Sequence, residues 1–190
     1  TLKGDNHLTG GISDTGNYGR NGIASTGSLT ITGGENGSLT AQGGSGADGG
    51  HGGHGIYSNG SLTISGGSTV TANGGNGGNV SGDGISSNGS VTISGGTVTA
   101  NGGDGSSGGD GIRSGDIDLS GSLELTAKAG SPNGKALSQR GNELDLDDIK
   151  DKLGPGAKVT ATDANGETKQ VSIPRPVEPE EPSSSSDGGS

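Results

Sequence analysis

The stretch "GGSGADGGHGGHGIYSNGSLTISGG", residues 43–67, is dominated by glycine through its first half and then alternates Ile or Leu with Ser or Thr. The same sentence recurs. Gly-Ile pairs stand at Gly22-Ile23, Gly55-Ile56, Gly84-Ile85 and Gly111-Ile112, spaced by 33, 29 and 27 residues. Each pair is followed by "GSLTITGG", "GSLTISGG", "GSVTISGG" or "GDIDLSGS", and then by "SLTAQGG", "TVTANGG", "TVTANGG" or "LELTAKAG". Short apolar alternations that return in phase mark a solenoid, in which one coil cannot bury its own apolar edge and needs its neighbours to do so.

The period of two makes each alternation a strand with Leu62 and Ile64 inward and Ser61, Thr63 and Ser65 outward. Parallel stacking at about 4.8 Å then predicts one inner ladder of Leu29, Leu62, Val91 and Ile117 and another of Leu39, Val70, Val98 and Leu125. The first residues fit the same frame, with Leu2 under Ile64 and Leu8 under Val70, so that Thr1 begins partway round a coil. The expected fold is an all-β parallel solenoid of about five coils over residues 1–140.

The glycines carry a second period. Counting back from Gly55 in threes meets Gly52, Gly49, Gly46 and Gly43; from Gly111, Gly108, Gly105 and Gly102; from Gly22, Gly19 and Gly16, then Ser13 and Gly10. Ser81 interrupts the frame in the third coil. Three residues per turn is the period of a polyproline II type helix, and glycine on one edge lets such helices pack with their backbones nearly touching. The expectation is one glycine leg per coil, with Gly43 to His54 spanning ~37 Å at ~3.1 Å per residue. Disordered glycine loops between the strands are the alternative.

Composition forces this choice. With 46 glycines in 190 residues, two tyrosines and no Phe, Trp, Met or Cys, the chain cannot build a core of aromatic and long aliphatic side chains. Unless regular stacking supplies backbone hydrogen bonds, so little apolar area leaves a chain disordered. No stretch approaches the roughly 20 apolar residues of a membrane-spanning helix, and "TLKGDNHLTGG" lacks the pattern of a signal peptide. A net charge of −10 argues against nucleic acid, whose phosphates need a basic face. The lack of cysteine fits a secreted protein without disulfides as well as a cytosolic one.

After Leu137 the repeat ends. "NELDLDDIKDKLGPG" predicts one more strand-like Leu144/Leu146 alternation and a short helix through Leu153, and "KVTATDANGETKQVSI" predicts a hairpin with Val159 and Ala161 facing Val171 and Ile173. Residues 141–173 thus read as a cap over the open edge of the last coil. "PRPVEPEEPSSSSDGGS", 174–190, reads as a linker, stiff and then flexible, with further modules expected beyond both ends.

The columns and the segments around them also carry candidate side-chain chemistry. Asn21, His54, Asp83 and Asp110 each precede the glycine of a Gly-Ile pair, and Lys135 holds the corresponding place in the fifth coil. Aspartates one rung apart repel, so the column is either a charge ladder flanked by His54 and Lys135 or a calcium site. "GGSGAD" opens like a calcium-binding nonapeptide but has Gly50 where that repeat needs an apolar residue. His51 and His54 lie ~9 Å apart in a three-fold helix, too far to share a zinc ion, so no metal or other cofactor is assigned.

Tyr18 and His51 occupy equivalent places in adjacent legs and Tyr57 follows Ile56 with its ring outward, so these three are the candidate ligand-binding residues for a sugar ring. No nucleophile elbow or phosphate-binding loop is present. Arg113 with Asp83, Asp110 and Asp116 is the nearest approach to a catalytic group, and the chain is expected not to be an enzyme.

The phrase "GSVTISGGTVTANGGDGSSGGDGI" resembles the β-helical repeats of large surface proteins from Gram-positive anaerobes, many described as carbohydrate-binding-domain proteins. That resemblance covers residues 1 to about 140 and implies an extracellular place and adhesion or polysaccharide binding, without any binding residue to carry over. The glycine legs are also similar to those of phage tip adhesins and of springtail antifreeze proteins. The expected function is accordingly an extracellular binding or adhesive module for glycans or a host surface. A passive stalk is the alternative, and ice binding through Thr69/Thr71 and Thr97/Thr99 is a third reading, weakened by Ser38 and Glu124 in the matching places.

Overall fold

The structure, a computed structural model, describes residues 1–13 and 17–177. It is a parallel β-solenoid whose coils stack three long ladders of short strands, with a fourth, two-stranded parallel pairing of Gly77–Val80 and Gly105–Ser107 in the glycine segments. The first ladder holds Ile23–Ser25, Ile56–Ser58, Ile85–Ser87, Ile112–Ser114 and Leu137–Gln139. The second holds Leu29–Gly33, Leu62–Gly66, Ser90–Ile93 and Asp116–Leu119. The third runs from Asp5–Thr9 through Ser38–Gln42, Thr69–Asn73, Thr97–Asn101 and Glu124–Lys128 to Lys158–Thr162.

Both predicted inner columns are present in register: Leu29, Leu62, Val91 and Ile117 in one ladder and Leu39, Val70, Val98 and Leu125 in another. A third column, Ile56, Ile85, Ile112 and Leu137, fills the remaining side, and all four residues are buried. Alanines 41, 72, 100, 127 and 161 supply a fourth, and all five are buried. The core is thus thin and aliphatic, which suits a chain with two aromatic residues.

Polar columns share the interior edge. Ser58, Ser87 and Ser114 are buried, and each hydroxyl donates to a carbonyl of the preceding coil: Gly27, Gly60 and Gly89, at 2.8, 2.8 and 3.0 Å. Ser87 also accepts from the Gly89 N–H at 3.1 Å. Ser87→Ala leaves both partners unsatisfied, and urea titration should show a loss of about 1–2 kcal/mol. An unchanged midpoint would mean that water replaces the hydroxyl.

The first coil departs from the expected register. Leu8 pairs with Ala41, in the alanine column, and Asn6 takes the place opposite Leu39. Leu2 lies beside Gly33. The shift is by two residues, which keeps Leu8 on the inward side of the pleat. Asn6 is tolerated there because its amide donates to the Ser38 carbonyl at 3.0 Å.

The glycine segments are ordered, and they differ from a single twelve-residue leg. At Ala47–Gly50 the chain reverses, with the Gly50 N–H on the Ala47 carbonyl and Gly49 at φ +75°, a conformation that only glycine adopts freely. Each coil therefore has an outgoing and a returning half-leg. Gly43 and Gly46 donate to Asn73 and Asn76 of the next coil's outgoing half, and Gly52 and Gly55 donate to Val80 and Asp83 of its returning half. The period of three is real within each half, and Gly49 belongs to the turn. Where Ser81 interrupts the frame, its hydroxyl accepts the Gly77 N–H at 3.1 Å. The Gly16 place in the first coil lies outside the described residues.

Between these positions runs a second connection. Arg20 N–H bonds the Gly11 carbonyl, Gly44 bonds Arg20, Gly53 bonds Gly44, Gly75 bonds Gly53, Gly82 bonds Gly75, Gly103 bonds Gly82, Gly109 bonds Gly103 and Gly130 bonds Gly109, all at 2.7–2.9 Å. This zigzag alternates between returning and outgoing halves down the length of the solenoid. It requires adjacent glycines, since Gly43 faces the returning half of its own coil while Gly44 faces the coil before it.

The C-terminal end is closed on all three ladders. Asn142–Glu143 pairs antiparallel with Leu137–Gln139. A 3-10 helix, Leu146–Lys152, covers the second ladder with Leu146 and Ile149 buried, and Leu153 bridges to Gly121. Leu144 and Leu146 therefore do not share a strand: Asp145 caps the helix by accepting the Asp147 N–H, and this ends the strand at Glu143. Lys158–Thr162 continues the third ladder as a further parallel rung on Glu124–Lys128, and Thr168–Ser172 closes it antiparallel. In that hairpin Val159 faces Val171, but Ala161 faces Lys169, and Ile173 bonds Ala157. The offset follows from a turn that Asp163 fixes by accepting from Asn165 and Glu167. Of the expected linker, residues 178–190 lie outside the described residues.

Candidate functional site

The column ahead of the Gly-Ile pairs is a ladder of hydrogen-bond acceptors. Asn21 Oδ1 accepts the His54 N–H at 2.8 Å, His54 Nδ1 accepts the Asp83 N–H at 2.9 Å, Asp83 Oδ1 accepts the Asp110 N–H at 2.7 Å and Asp110 Oδ1 accepts the Lys135 N–H at 2.8 Å. Asn, His and Asp alternate there because each holds an acceptor at the same reach from the backbone. Lys135 has none, and it stands where the ladder ends.

His54 is neutral in this arrangement. Burial, with the positive charge of Arg113 second, lowers its pKa from 6.5 to about 4, and Nδ1 must carry a lone pair to accept the Asp83 N–H. The approach of that nitrogen to Asp83 Oδ2, 3.5 Å, is consequently not an ion pair. Burial raises the Asp83 pKa, opposed by Arg113, the Asp110 N–H and the nearby Ser86 hydroxyl. Asp110 is raised by burial first as well, with Asp83 adding to it and the Lys135 N–H opposing.

Arg113 Nε lies 3.1 Å from Asp83 Oδ2, a carboxylate whose side chain is only 6% exposed. The guanidinium thus supplies positive charge against the buried carboxylate of Asp83, and among the described residues no group of three or more His, Asp or Glu is arranged to hold a metal. Asp116 belongs elsewhere: it pairs with Arg140 at 2.7 Å on the exposed surface.

These groups floor a cleft of about 400 Å³ lined by His51, His54, Val80, Asp83, Asp110 and Arg113, with Ser81, Ser107 and Asn133 at its sides. The candidate aromatic residues gather beside it. Tyr18 stacks on His51 with ring centroids 5.2 Å apart, and His54 stacks on Tyr57 at 5.9 Å. Each ring spends one face on its neighbour. Tyr57 is held further by Asn88, whose amide donates to the phenol oxygen at 2.9 Å. Val80 continues the Tyr18–His51 column one coil on.

Val80 and Ser86 were not evident as site residues in the sequence, although the columns contain them. Val80 follows His51 in the leg frame, and Ser86 separates Tyr57 from Arg113 in the position after the Gly-Ile pairs. The outward threonines form a separate surface: Thr40, Thr71, Thr99, Thr126 and Thr160 stand in one column, flanked by Ser38, Thr69, Thr97, Glu124 and Lys158.

Among the described residues no helix is long and apolar enough to cross a membrane. Comparisons with protein families, with curated proteins and with solved structures found no match for this chain.

Proposed function

We propose that this chain is an extracellular binding or adhesive module that contacts glycans, on polysaccharide or on a host surface, through the His51/His54/Arg113 cleft. The observation that carries the reading is the Arg113–Asp83 pair. The buried serines Ser58, Ser87 and Ser114 are committed to holding one coil on the next, whereas here an ion pair lines an open cleft beside two ring pairs. Convergent polar groups in a concave site with perturbed carboxylates are the usual marks of a ligand site. The resemblance of the repeat to carbohydrate-binding surface proteins supports the same reading.

A glycan array probed with the wild-type module and with Arg113→Ala tests it. Binding that falls at least about tenfold in the variant, as expected when a charge-assisted hydrogen-bond donor is removed, is the expected result. Equal signals from the two proteins would put glycan contact outside this cleft, and silence from both would leave the second reading, a passive spacer. That reading is favoured by the regular ladders and by ring faces that are satisfied within the molecule.

A further inference from the structure

We infer that the cleft selects a neutral pyranose through a pair of adjacent hydroxyls and discriminates against acidic sugars. The inference rests on the glycan reading above and concerns what kind of glycan is taken. Asp83 and Asp110 each commit one carboxylate oxygen to a backbone N–H of the following coil. Each retains a second oxygen: that of Asp83 is buried and carries the contact with Arg113, so the acceptor left for a ligand is that of Asp110. Among the described residues the terminal nitrogens of Arg113 make no hydrogen bond, and the side chain is 56% exposed.

The cleft therefore offers one carboxylate acceptor, from Asp110, together with the guanidinium donors of Arg113. A hydroxyl satisfies both at once, because it donates to a carboxylate and accepts from a guanidinium. Two neighbouring hydroxyls on a sugar ring match this pairing without adding charge.

A uronate brings a third carboxylate to a place that already holds two. The one guanidinium there is neutralised by Asp83 at 3.1 Å, and His54 is uncharged. The protein as a whole carries −10. Every charge near the cleft except Arg113, and Lys135 at the far end of the column, opposes an anion. The ring pairs do not reverse this selection: Tyr18 with His51 and His54 with Tyr57 contribute shape beside the polar floor.

Matched probes decide the point. Methyl glucoside and methyl galactoside, each against its uronide, differ only by oxidation at C6, and titration of the intact module followed by amide and Arg113 side-chain NMR reads both affinity and place. The neutral member of a pair should bind at least about tenfold more tightly, shifting the Arg113 and Asp110 signals, and Asp110→Asn should narrow the gap. The asparagine keeps the Oδ1 acceptor for Lys135, as Asn21 does for His54, so the variant retains the ladder.

Uronides that bind equally or better would overturn the selection while leaving glycan binding standing. Failure of all four glycosides to bind, with the array positive for other glycans, would also overturn it. Silence in both experiments would remove the glycan reading together with it.

Discussion

Gly82→Ala is expected to cost about 3 kcal/mol or more, beyond the usual range for one added methyl group. A Cβ on Gly82 would fall on the carbonyl oxygen of Gly53, which accepts the Gly75 N–H in the zigzag. Both colliding groups are backbone, so no side chain can swing aside. The carbonyl has to move, and with it the hydrogen bonds that join the second, third and fourth coils. Gly27→Ala is the control, because a Cβ there meets nothing within 4 Å and the residue is not held at positive φ. Urea titrations should separate the two variants clearly. Similar stabilities would show that the half-legs slide freely over one another, contrary to the packing described above.

The second large effect is a pH dependence traced to His54. Its pKa is about 4 in the folded protein and 6.5 in the unfolded chain. Between these values the unfolded chain takes up a proton that the folded protein refuses. The stability this contributes is whole above pH 6.5 and is lost as the pH falls toward 4, on the order of 3 kcal/mol in all.

Asp83, Asp110 and Glu143 act in the opposite sense. Burial raises the pKa of each, so the folded state holds their protons more firmly and gains stability on acidification. The net slope is therefore smaller than His54 alone would give, and the difference between two proteins is the cleaner measurement. His54→Asn preserves the acceptor for the Asp83 N–H, the task Asn21 performs one coil earlier, and removes the titration. Relative to wild type, the variant should gain stability progressively as the pH is lowered from 6.5 to 4. Parallel curves would show that the folded protein binds the His54 proton as readily as the unfolded chain does, so that burial does not depress its pKa.

Much of the fold is legible in the residues because two periods coexist without conflict. Alternation places Leu62 and Ile64 inside, and the spacing of Gly-Ile pairs sets which leucine lies over which. What is not legible is the reversal within each glycine segment. Gly43, Gly46, Gly49, Gly52 and Gly55 keep one frame of three through a turn, and counting alone cannot tell a straight leg from a folded one. The doublets Gly43-Gly44, Gly74-Gly75 and Gly102-Gly103 were the available sign, since a leg touching one neighbour needs glycine on one edge only.

The candidate site was half legible for a similar reason. The column Asn21, His54, Asp83 and Asp110 is visible as a list of polar residues, and its composition draws attention to charge. Its actual order comes from the lone pair each residue offers to a backbone N–H, which Asn and neutral His share with Asp. The pairing of Tyr18 with His51 follows from the alignment of legs. The pairing of His54 with Tyr57 joins residues on either side of the Gly-Ile corner, which strand periodicity does not reach.

The zigzag also explains how coils of unequal length stay in step. Gly11 to Arg20 and Gly44 to Gly53 enclose longer segments than Gly75 to Gly82, Gly103 to Gly109 or Gly130 to Gly134, yet the same bond closes each one. Extra residues are shed at the hairpin tips, beyond the last bond that matters for alignment. Such tips are natural splice points: a foreign peptide set between Ala47 and Gly50 would hang from the rim on two anchored stems, and graftable positions of this kind recur down one edge of the molecule.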